Sequence, residues 1–208
     1  MSPSWGRAEA ETRPDFFFIR HGETDWNREG RLQGGRDVPL NAVGRDQASG
    51  AGRILKAVLA EQGRRPDALR YQASPLGRTR DTMERVRDAL GLDPSGYDTD
   101  ARLREIGFGD WEGRTWGELK ATVRPLVKER QRNKWSFVPP GGESYAGLAQ
   151  RLRPWLDGLQ TGDVVVGHGG VCRALLHLLA GKAAAEAPNS EIVQGRVLWF
   201  RRGRAEWF

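Results

Sequence analysis

Short apolar runs alternate with longer amphipathic segments along this chain, which is the pattern of strands alternating with helices. The last two of the apolar runs predict a closing hairpin around Arg202-Gly203. Strands separated by helices predict a three-layer α/β/α domain with a mostly parallel central sheet. The predicted strands lie at 16–19, 68–73, 97–99, 163–167, 192–200 and 205–208.

Apolar residues spaced three and four apart indicate the helices between these strands. One helix is predicted over 42–61, with Asn41 as its N-cap. Ser74 and Pro75 predict the N-cap and first residue of the next helix, because the first position of a helix needs no N–H. Further helices are predicted at 145–159 and 171–181.

The middle of the chain departs from this alternation. The glycines of 103–113 predict an ordered loop, and 115–134 predicts one or two polar helices interrupted by Pro125. We interpret about 110–140 as a small helical cap inserted into a single domain that spans 1–208.

Composition and length limit the class of protein. With 208 residues, 38% of them hydrophobic and 29% charged, the chain fits one soluble globular domain. No apolar run approaches the ~20 residues that span a bilayer. Residues 1–14 are polar, without the apolar core of a secretory signal, and are interpreted as a flexible tail. The single cysteine, Cys172, excludes an internal disulfide, so a cytoplasmic location is expected.

The net charge of +6 raises the question of an acidic partner. The arginines are scattered and no nucleic-acid motif accompanies them, so neither a nucleic-acid nor a membrane partner is expected. The oligomeric state stays open.

Two of the three histidines occupy equivalent positions. His21 and His168 each follow a short buried strand and precede a glycine, whereas His177 lies inside an apolar helix and is interpreted as a packing residue. The carboxyl ends of parallel strands share one edge of a sheet, which is where open α/β sheets bind ligands. We therefore expect His21 and His168 to converge there.

The residues around His21 belong to a longer pattern. Arg20-His21-Gly22-Glu23-Thr24 resembles the signature of the histidine phosphatase superfamily, also called phosphoglycerate mutase-like. Three further motifs follow in the family's order, at 74–82, 103–113 and 166–170, and the resemblance covers residues 15–200. Pro-Gly-Gly-Glu before Ser144 resembles the branch that contains broad phosphatases.

The resemblance implies roles for five catalytic residues. His21 would be the nucleophile that forms a phosphohistidine, and Glu105 would be the proton donor, with Glu112 as its rival. The positive charges that stabilise the phosphoryl oxygens would come from Arg20, Arg78 and His168.

The same resemblance implies further substrate-binding residues around the phosphate pocket, and it implies no cofactor. Two candidate histidines and scattered carboxylates show no ligand spacing, so no metal is expected either. Cys172-Arg173 lacks the Cys-x5-Arg spacing of a cysteine phosphatase. The implied substrate-binding residues are Thr24, Asn27, Gln33, Gly34 and Gly169.

Together these features predict a metal-independent phosphomonoester hydrolase with a phosphohistidine intermediate, acting on a small phosphorylated metabolite. A phosphoglycerate-type mutase and a non-catalytic phosphate-binding protein are the alternatives, and the short cap favours hydrolysis. The physiological substrate stays open. Basic residues of the cap are candidates for a second anionic group: Lys120, Arg124, Lys128, Arg130, Arg132 and Lys134.

Overall fold

The first strand lies at the centre of the sheet because it is apolar on both faces. In the computed structural model, which describes residues 12–208, this strand is Phe16–Arg20 (β1). Alternate side chains of a strand point to opposite faces. Phe16 and Phe18 join the core on one side of the sheet, and Phe17 and Ile19 join the core on the other. All four are fully buried, so a helical layer covers each face.

Six strands form one mixed sheet in the described part of the chain, in the order β3-β2-β4-β1-β5-β6. The first four of that order are parallel, and the last two add an antiparallel hairpin at one edge. This arrangement confirms the predicted α/β fold with its mostly parallel sheet. The remaining strands are Tyr71–Ala73 (β2), Asp98–Thr99 (β3), Val164–Gly167 (β4), Val197–Arg201 (β5) and Arg204–Trp207 (β6).

Helices cover both faces of this sheet. Along residues 12–208 they are Asp25–Glu29 (α1), Ala42–Glu61 (α2), Gly77–Ala89 (α3), Trp116–Thr122 (α4), Arg124–Arg132 (α5), Tyr145–Leu156 (α6) and Gly169–Leu179 (α7). The helices α2 and α3 pack against the face that carries Phe17 and Ile19. The helices α6 and α7 pack against the opposite face.

Two predicted helix starts are confirmed by their capping bonds. The side chain of Asn41 accepts from the N–H of Gly44 at 2.8 Å, and Ser144 accepts from Gly147 at 3.0 Å. Each bond satisfies one of the backbone donors that a helix start leaves without a partner. Both helices therefore begin where their polar cap residue lies.

The predicted start of α3 is wrong. Ser74 and Pro75 precede the helix, which begins at Gly77 after an extended Leu76. The first N–H of the helix donates instead to the Asp37 side chain at 2.8 Å, a residue 40 positions earlier. Asp37 thus caps the helix in place of Ser74. The hydroxyl of Ser74 instead contacts His168.

The closing hairpin begins later than predicted, because β5 starts at Val197 and not at Ile192. Residues 192–196 form a loop that reaches the end of β1, where the carbonyl of Ile192 accepts from Arg20 at 2.7 Å. The Ile192 carbonyl is therefore available to Arg20 and is not paired with a neighbouring strand.

The cap has a small core of its own, centred on Trp111, Leu119 and Val127. The Trp111 ring stacks on Phe137 with centroids 5.5 Å apart. Pro125 lies in the first turn of α5 and separates it from α4, as predicted.

The predicted N-terminal tail falls mostly outside the described residues, since residues 1–11 are not among them. Arg13 donates to the carbonyl of Leu156 at 3.1 Å and pairs with Asp157 at 2.9 Å, so this residue lies against the domain. Among residues 12–208, no helix combines the length and the apolar character that crossing a membrane requires.

Candidate active site

The ends of two neighbouring parallel strands bring the two predicted histidines together. Arg20 of β1 is paired with Gly167 of β4, so His21 and His168 leave the sheet side by side. Their ring centroids are 5.2 Å apart, and both side chains are buried. The convergence expected from the sequence is therefore confirmed.

One ring nitrogen of His21 is held by its neighbour. Nδ1 lies 2.7 Å from the carbonyl oxygen of Gly22, and because a carbonyl can only accept, Nδ1 carries the hydrogen. The lone pair of the neutral ring is then on Nε2. Burial, followed by the charges of Arg78 and Arg20, holds the pKa of His21 well below its usual value. At neutral pH this imidazole is therefore uncharged, the state in which its free nitrogen can act as a nucleophile.

Gly22 allows this turn to lie against α2. A Cβ at Gly22 would come within 2.1 Å of the carbonyl oxygen of Gly44, which is in the first turn of that helix. Any side chain at position 22 would therefore push this turn away from the helix.

His168 is held by a buried hydroxyl. Its Nε2 lies 2.8 Å from Oγ of Ser74, while its Nδ1 is buried and has no hydrogen-bond partner among the described residues. Burial, then the charges of Arg78, His21 and Arg20, hold the pKa of His168 well below its usual value. A bound phosphate would bring the opposite charge and favour the protonated ring.

Both predicted arginines are fixed by backbone carbonyls. Arg20 donates to Ile192 at 2.7 Å, and Arg78 donates to Arg36 at 2.5 Å and to Gly34 at 2.9 Å. In each guanidinium the buried Nε has no partner within residues 12–208. Buried donors without partners are costly in a folded protein, and an anion would satisfy them.

The two guanidinium groups remain charged at neutral pH although they are buried. Burial, followed by the charge of Arg173, lowers the pKa of Arg20 to about 10, and the charge of Glu105 works in the opposite direction. Burial likewise lowers the pKa of Arg78. Fixed cations beside a neutral imidazole suit the binding of a phosphoryl group.

A cavity of about 140 Å³ collects most of the predicted site residues. His168 lies behind it, against the ring of His21, and the buried Thr24 caps α1. The predicted residues that line the cavity are Arg20, His21, Asn27, Gln33, Gly34, Arg78, Glu105 and Gly169.

Asn27 is oriented by its neighbours. Its Oδ1 accepts from the backbone N–H of Thr24 at 3.2 Å and from the Gln194 side chain at 3.1 Å. With the oxygen engaged, the amide NH₂ is the part of Asn27 that remains for a ligand. Thr24 thus acts on the cavity through Asn27.

The two rival carboxylates have different surroundings. Glu105 lines the cavity, and its oxygens accept from the N–H groups of Ile106 at 3.0 Å and Gly170 at 3.1 Å. Glu112 also accepts from two backbone N–H groups, of Gly35 at 3.0 Å and Phe108 at 3.1 Å, but it is not among the residues that line the cavity. Glu112 thus connects two loop segments, whereas Glu105 lies at the cavity.

The cavity also contains side chains that the motifs did not indicate. Tyr145 is the first residue of the helix predicted at 145–159, and Arg173 was noted only for its place after Cys172. Arg173 lies one turn after Gly169 on α7, so helical spacing from Gly169 would have identified it. The additional lining residues are Arg31, Leu32, Ile106, Phe108, Tyr145, Gly170 and Arg173.

His177 and Cys172 lie outside this cavity. His177 is buried, with its ring 4.3 Å from that of Trp135 and its Nδ1 2.8 Å from the carbonyl of Lys182. Cys172 is fully buried, and burial raises the pKa of its thiol to about 12. His177 therefore fits the packing role expected from the sequence, and Cys172 belongs to the core as well. Within residues 12–208, no three His, Cys, Asp or Glu side chains form a group suited to a metal ion.

Comparison with known proteins gives a consistent match. Residues 16–208 match the family described as the histidine phosphatase superfamily (branch 1). A glucosyl-3-phosphoglycerate phosphatase of Mycobacterium tuberculosis is 33% identical over 183 residues, which are 82% of this chain and 77% of that protein. A 2,3-bisphosphoglycerate-dependent phosphoglycerate mutase of Mesorhizobium japonicum is 32% identical over 85% of this chain and 86% of its own. A solved mycobacterial glucosyl-3-phosphoglycerate phosphatase with VO3 superposes with a TM-score of 0.74, at 28% identity, over 94% of this chain and 96% of its own.

Proposed function

The chain belongs to the histidine phosphatase superfamily and is a phosphatase of that class, and we propose that it hydrolyses small phosphomonoesters through a phosphohistidine on His21. The observation that carries the proposal is the state of His21. Its ring is neutral, its Nδ1 is tied to Gly22, and two buried cations flank it. This combination is what attack on a phosphorus atom requires.

In the first step, Nε2 of His21 attacks phosphorus and the bond from phosphorus to the ester oxygen breaks. The leaving oxygen takes the proton of the Glu105 carboxyl group, so the alcohol departs neutral. Arg20, Arg78 and His168 stabilise the charge on the phosphoryl oxygens.

In the second step, Glu105 is a carboxylate and accepts a proton from a water molecule. That water attacks phosphorus, the bond between phosphorus and Nε2 breaks, and inorganic phosphate is released. The two steps together return His21 and Glu105 to their starting protonation states, so the cycle is balanced.

We also propose that the reaction needs no metal ion. Electrostatic stabilisation that a metal pair gives elsewhere would come here from two guanidinium groups and an imidazole. Three backbone carbonyls fix the two guanidinium groups and the Ser74 hydroxyl holds the imidazole, which supports this assignment.

The test is hydrolysis of p-nitrophenyl phosphate by the purified protein, with and without EDTA, and by His21→Ala. We expect turnover that EDTA leaves unchanged and that falls by at least about 10⁴-fold in His21→Ala, as for a lost nucleophile. A fully active His21→Ala would refute the phosphohistidine, and loss of activity in EDTA would refute metal independence.

Mutase activity is the second candidate because relatives named as phosphoglycerate mutases match the chain as fully as the phosphatases do. A mutase transfers the phosphoryl group between hydroxyls of the substrate, whereas a hydrolase gives it to water. Comparing the release of inorganic phosphate from 3-phosphoglycerate with its isomerisation separates the two. We expect phosphate release to dominate.

A further inference from the structure

The loop between α7 and β5 contacts the site through alternate residues. Its backbone carbonyls accept from two arginines that line the cavity: Ser190 accepts from Arg173 at 2.8 Å, and Ile192 accepts from Arg20 at 2.7 Å. Gln194, two residues further on, is half-buried and contacts the site with its side chain. The loop thus holds side chains that other elements supply.

The amide group of Gln194 bridges two residues of the site. Its Nε2 lies 3.1 Å from the carbonyl oxygen of His21 and 3.1 Å from Oδ1 of Asn27. A carbonyl oxygen can only accept, so the group that faces His21 is the NH₂ of Gln194, and one hydrogen remains for Asn27. The atom of Asn27 that receives this hydrogen must then be its oxygen. The amide orientation of Asn27 therefore follows from that of Gln194.

The His21 end of this bridge is a fixed point. The N–H of His21 donates to the carbonyl of Gly167 at 3.0 Å, which continues the pairing of β1 with β4. The next N–H, that of Gly22, donates to Oγ1 of Thr82 at 3.1 Å. Gln194 therefore ties the Asn27 amide to the firmly held backbone of His21.

The contact between Thr24 and Asn27 is local to the start of α1. The two residues form a reciprocal capping pair, in which the backbone N–H of each donates to the side chain of the other at 3.2 Å. This pair belongs to one short helix. Gln194 adds the contact that connects this helix start to the rest of the site.

The end of the Asn27 amide that faces the cavity determines the sign of its interaction with a phosphate. Asn27 lines the cavity together with Arg20 and Arg78. An NH₂ group directed at the phosphoryl oxygens would stabilise their charge, whereas a carbonyl oxygen would repel it. A residue that prevents the amide from turning over would therefore contribute to catalysis without touching the substrate.

We propose that Gln194 is a positioning residue that holds the NH₂ of Asn27 towards the phosphoryl oxygens. The inference rests on the proposed function and adds a residue that lies outside the sequence motifs. Gln194 is not among the residues that line the cavity, so its effect reaches the phosphoryl group through Asn27.

The test is a double-mutant cycle between Gln194 and Asn27. The readouts are kcat/KM for p-nitrophenyl phosphate and the dissociation constant of inorganic phosphate, measured by calorimetry. Gln194→Met removes the amide at similar length. Gln194→Glu replaces the NH₂ donor by a carboxylate oxygen, which faces two acceptors unless the Asn27 amide turns over. Val193→Glu is the control, because it adds the same charge at an exposed position of the same loop.

We expect Gln194→Met to lower kcat/KM and to weaken phosphate binding by roughly tenfold each. Gln194→Glu should change both quantities by on the order of 10²-fold, because a turned Asn27 amide would repel the phosphate. Val193→Glu should change them by less than about twofold, since solvent and salt screen an exposed charge. In the Asn27→Ala background, Gln194→Met should have almost no further effect.

Equal losses from Gln194→Met in the wild-type and Asn27→Ala backgrounds would overturn the inference, because a purely structural defect does not depend on Asn27. A Gln194→Glu variant that behaves like Val193→Glu would overturn it as well. Failure of the proposed function is distinct. Wild type would then not hydrolyse p-nitrophenyl phosphate, and the binding of inorganic phosphate would still measure the cycle.

Discussion

The side-chain oxygen of Ser74 lies 2.8 Å from Nε2 of His168, and both groups are fully buried. When the hydroxyl donates, the neutral ring carries its hydrogen on Nδ1, the nitrogen that has no partner among the described residues. We therefore expect Ser74 to position His168 as a donor to the phosphoryl group.

Replacing Ser74 with alanine should lower kcat/KM by about tenfold, because His168 loses the contact that fixes its tautomer. It should also cost about 1–3 kcal/mol of unfolding free energy, since a buried nitrogen is left unsatisfied. The measurements are the pH profile of kcat/KM and urea unfolding.

Ser144→Ala is the matched control for Ser74→Ala. It removes the capping bond of α6, which should cost about 1 kcal/mol of stability. The activity per folded molecule should stay at the wild-type value. If both variants changed the pH profile equally, the positioning role of Ser74 would be wrong.

The lowered pKa values of His21 and His168 predict a pH-dependent stability. A histidine whose pKa is lower in the folded than in the unfolded state binds fewer protons when folded. Its stabilising contribution is complete above the unfolded value of about 6.5 and is lost as pH falls towards the folded pKa. Each histidine adds up to about 1.4 kcal/mol per pH unit in that window.

Urea unfolding between pH 8 and pH 5 checks this. We expect the unfolding free energy to be constant above pH 7 and to decrease below about 6.5. The double variant His21→Asn/His168→Gln should show a flatter dependence, and saturating inorganic phosphate should reduce the slope for wild type. A slope that survives both changes would assign the effect to other groups.

The contrast between Glu105 and Glu112 gives a third prediction. Glu105→Gln removes the proton donor and should lower kcat for an alkyl phosphate by about 10²–10⁴-fold. The loss should be smaller for p-nitrophenyl phosphate, because nitrophenolate leaves without a proton. Glu112→Gln keeps an oxygen for Gly35 and Phe108 and should retain most activity on both substrates. Equal losses in the two variants would contradict the assignment of Glu105 as the acid.

Much of this fold was predictable because it depends on local patterns. The apolar runs before His21 and His168 predicted two strand ends side by side, and Asn41 predicted the start of α2. Residues that act through distant contacts were not predictable. Asp37 caps α3 across 40 positions, and Gln194 reaches Asn27 across 167. Hydrophobic periodicity contains no information about such distant pairs. The predicted starts of α3 and of β5 were therefore wrong.

Which basic residues of the cap are half-buried and which are exposed was unpredictable for a related reason. A charge run does not reveal which side chains face a cavity, and here Lys128 and Arg130 differ only by their position around α5. Burial beside Trp116, which comes from an earlier helix, separates them.

Gly170 gives the last prediction, since it lies where α7 approaches Glu105. A Cβ at this position would come within 2.4 Å of Oε1 of Glu105. Gly170→Ala should therefore displace the carboxylate from the cavity and lower kcat for an alkyl phosphate by on the order of 10²-fold, through lost acid catalysis. Stability should fall as well, because Cγ2 of Ile106 lies 2.7 Å from the same Cβ and also has to shift.

Gly50→Ala is the control for an added methyl group. The nearest atom to its Cβ is the end of Arg53, at 3.7 Å, so there is room, and alanine should stabilise α2 by about 0.5–1 kcal/mol. Activity of Gly50→Ala should equal that of wild type. Wild-type activity in Gly170→Ala would mean that Glu105 tolerates displacement, and the acid would then have to be sought among the other groups that line the cavity.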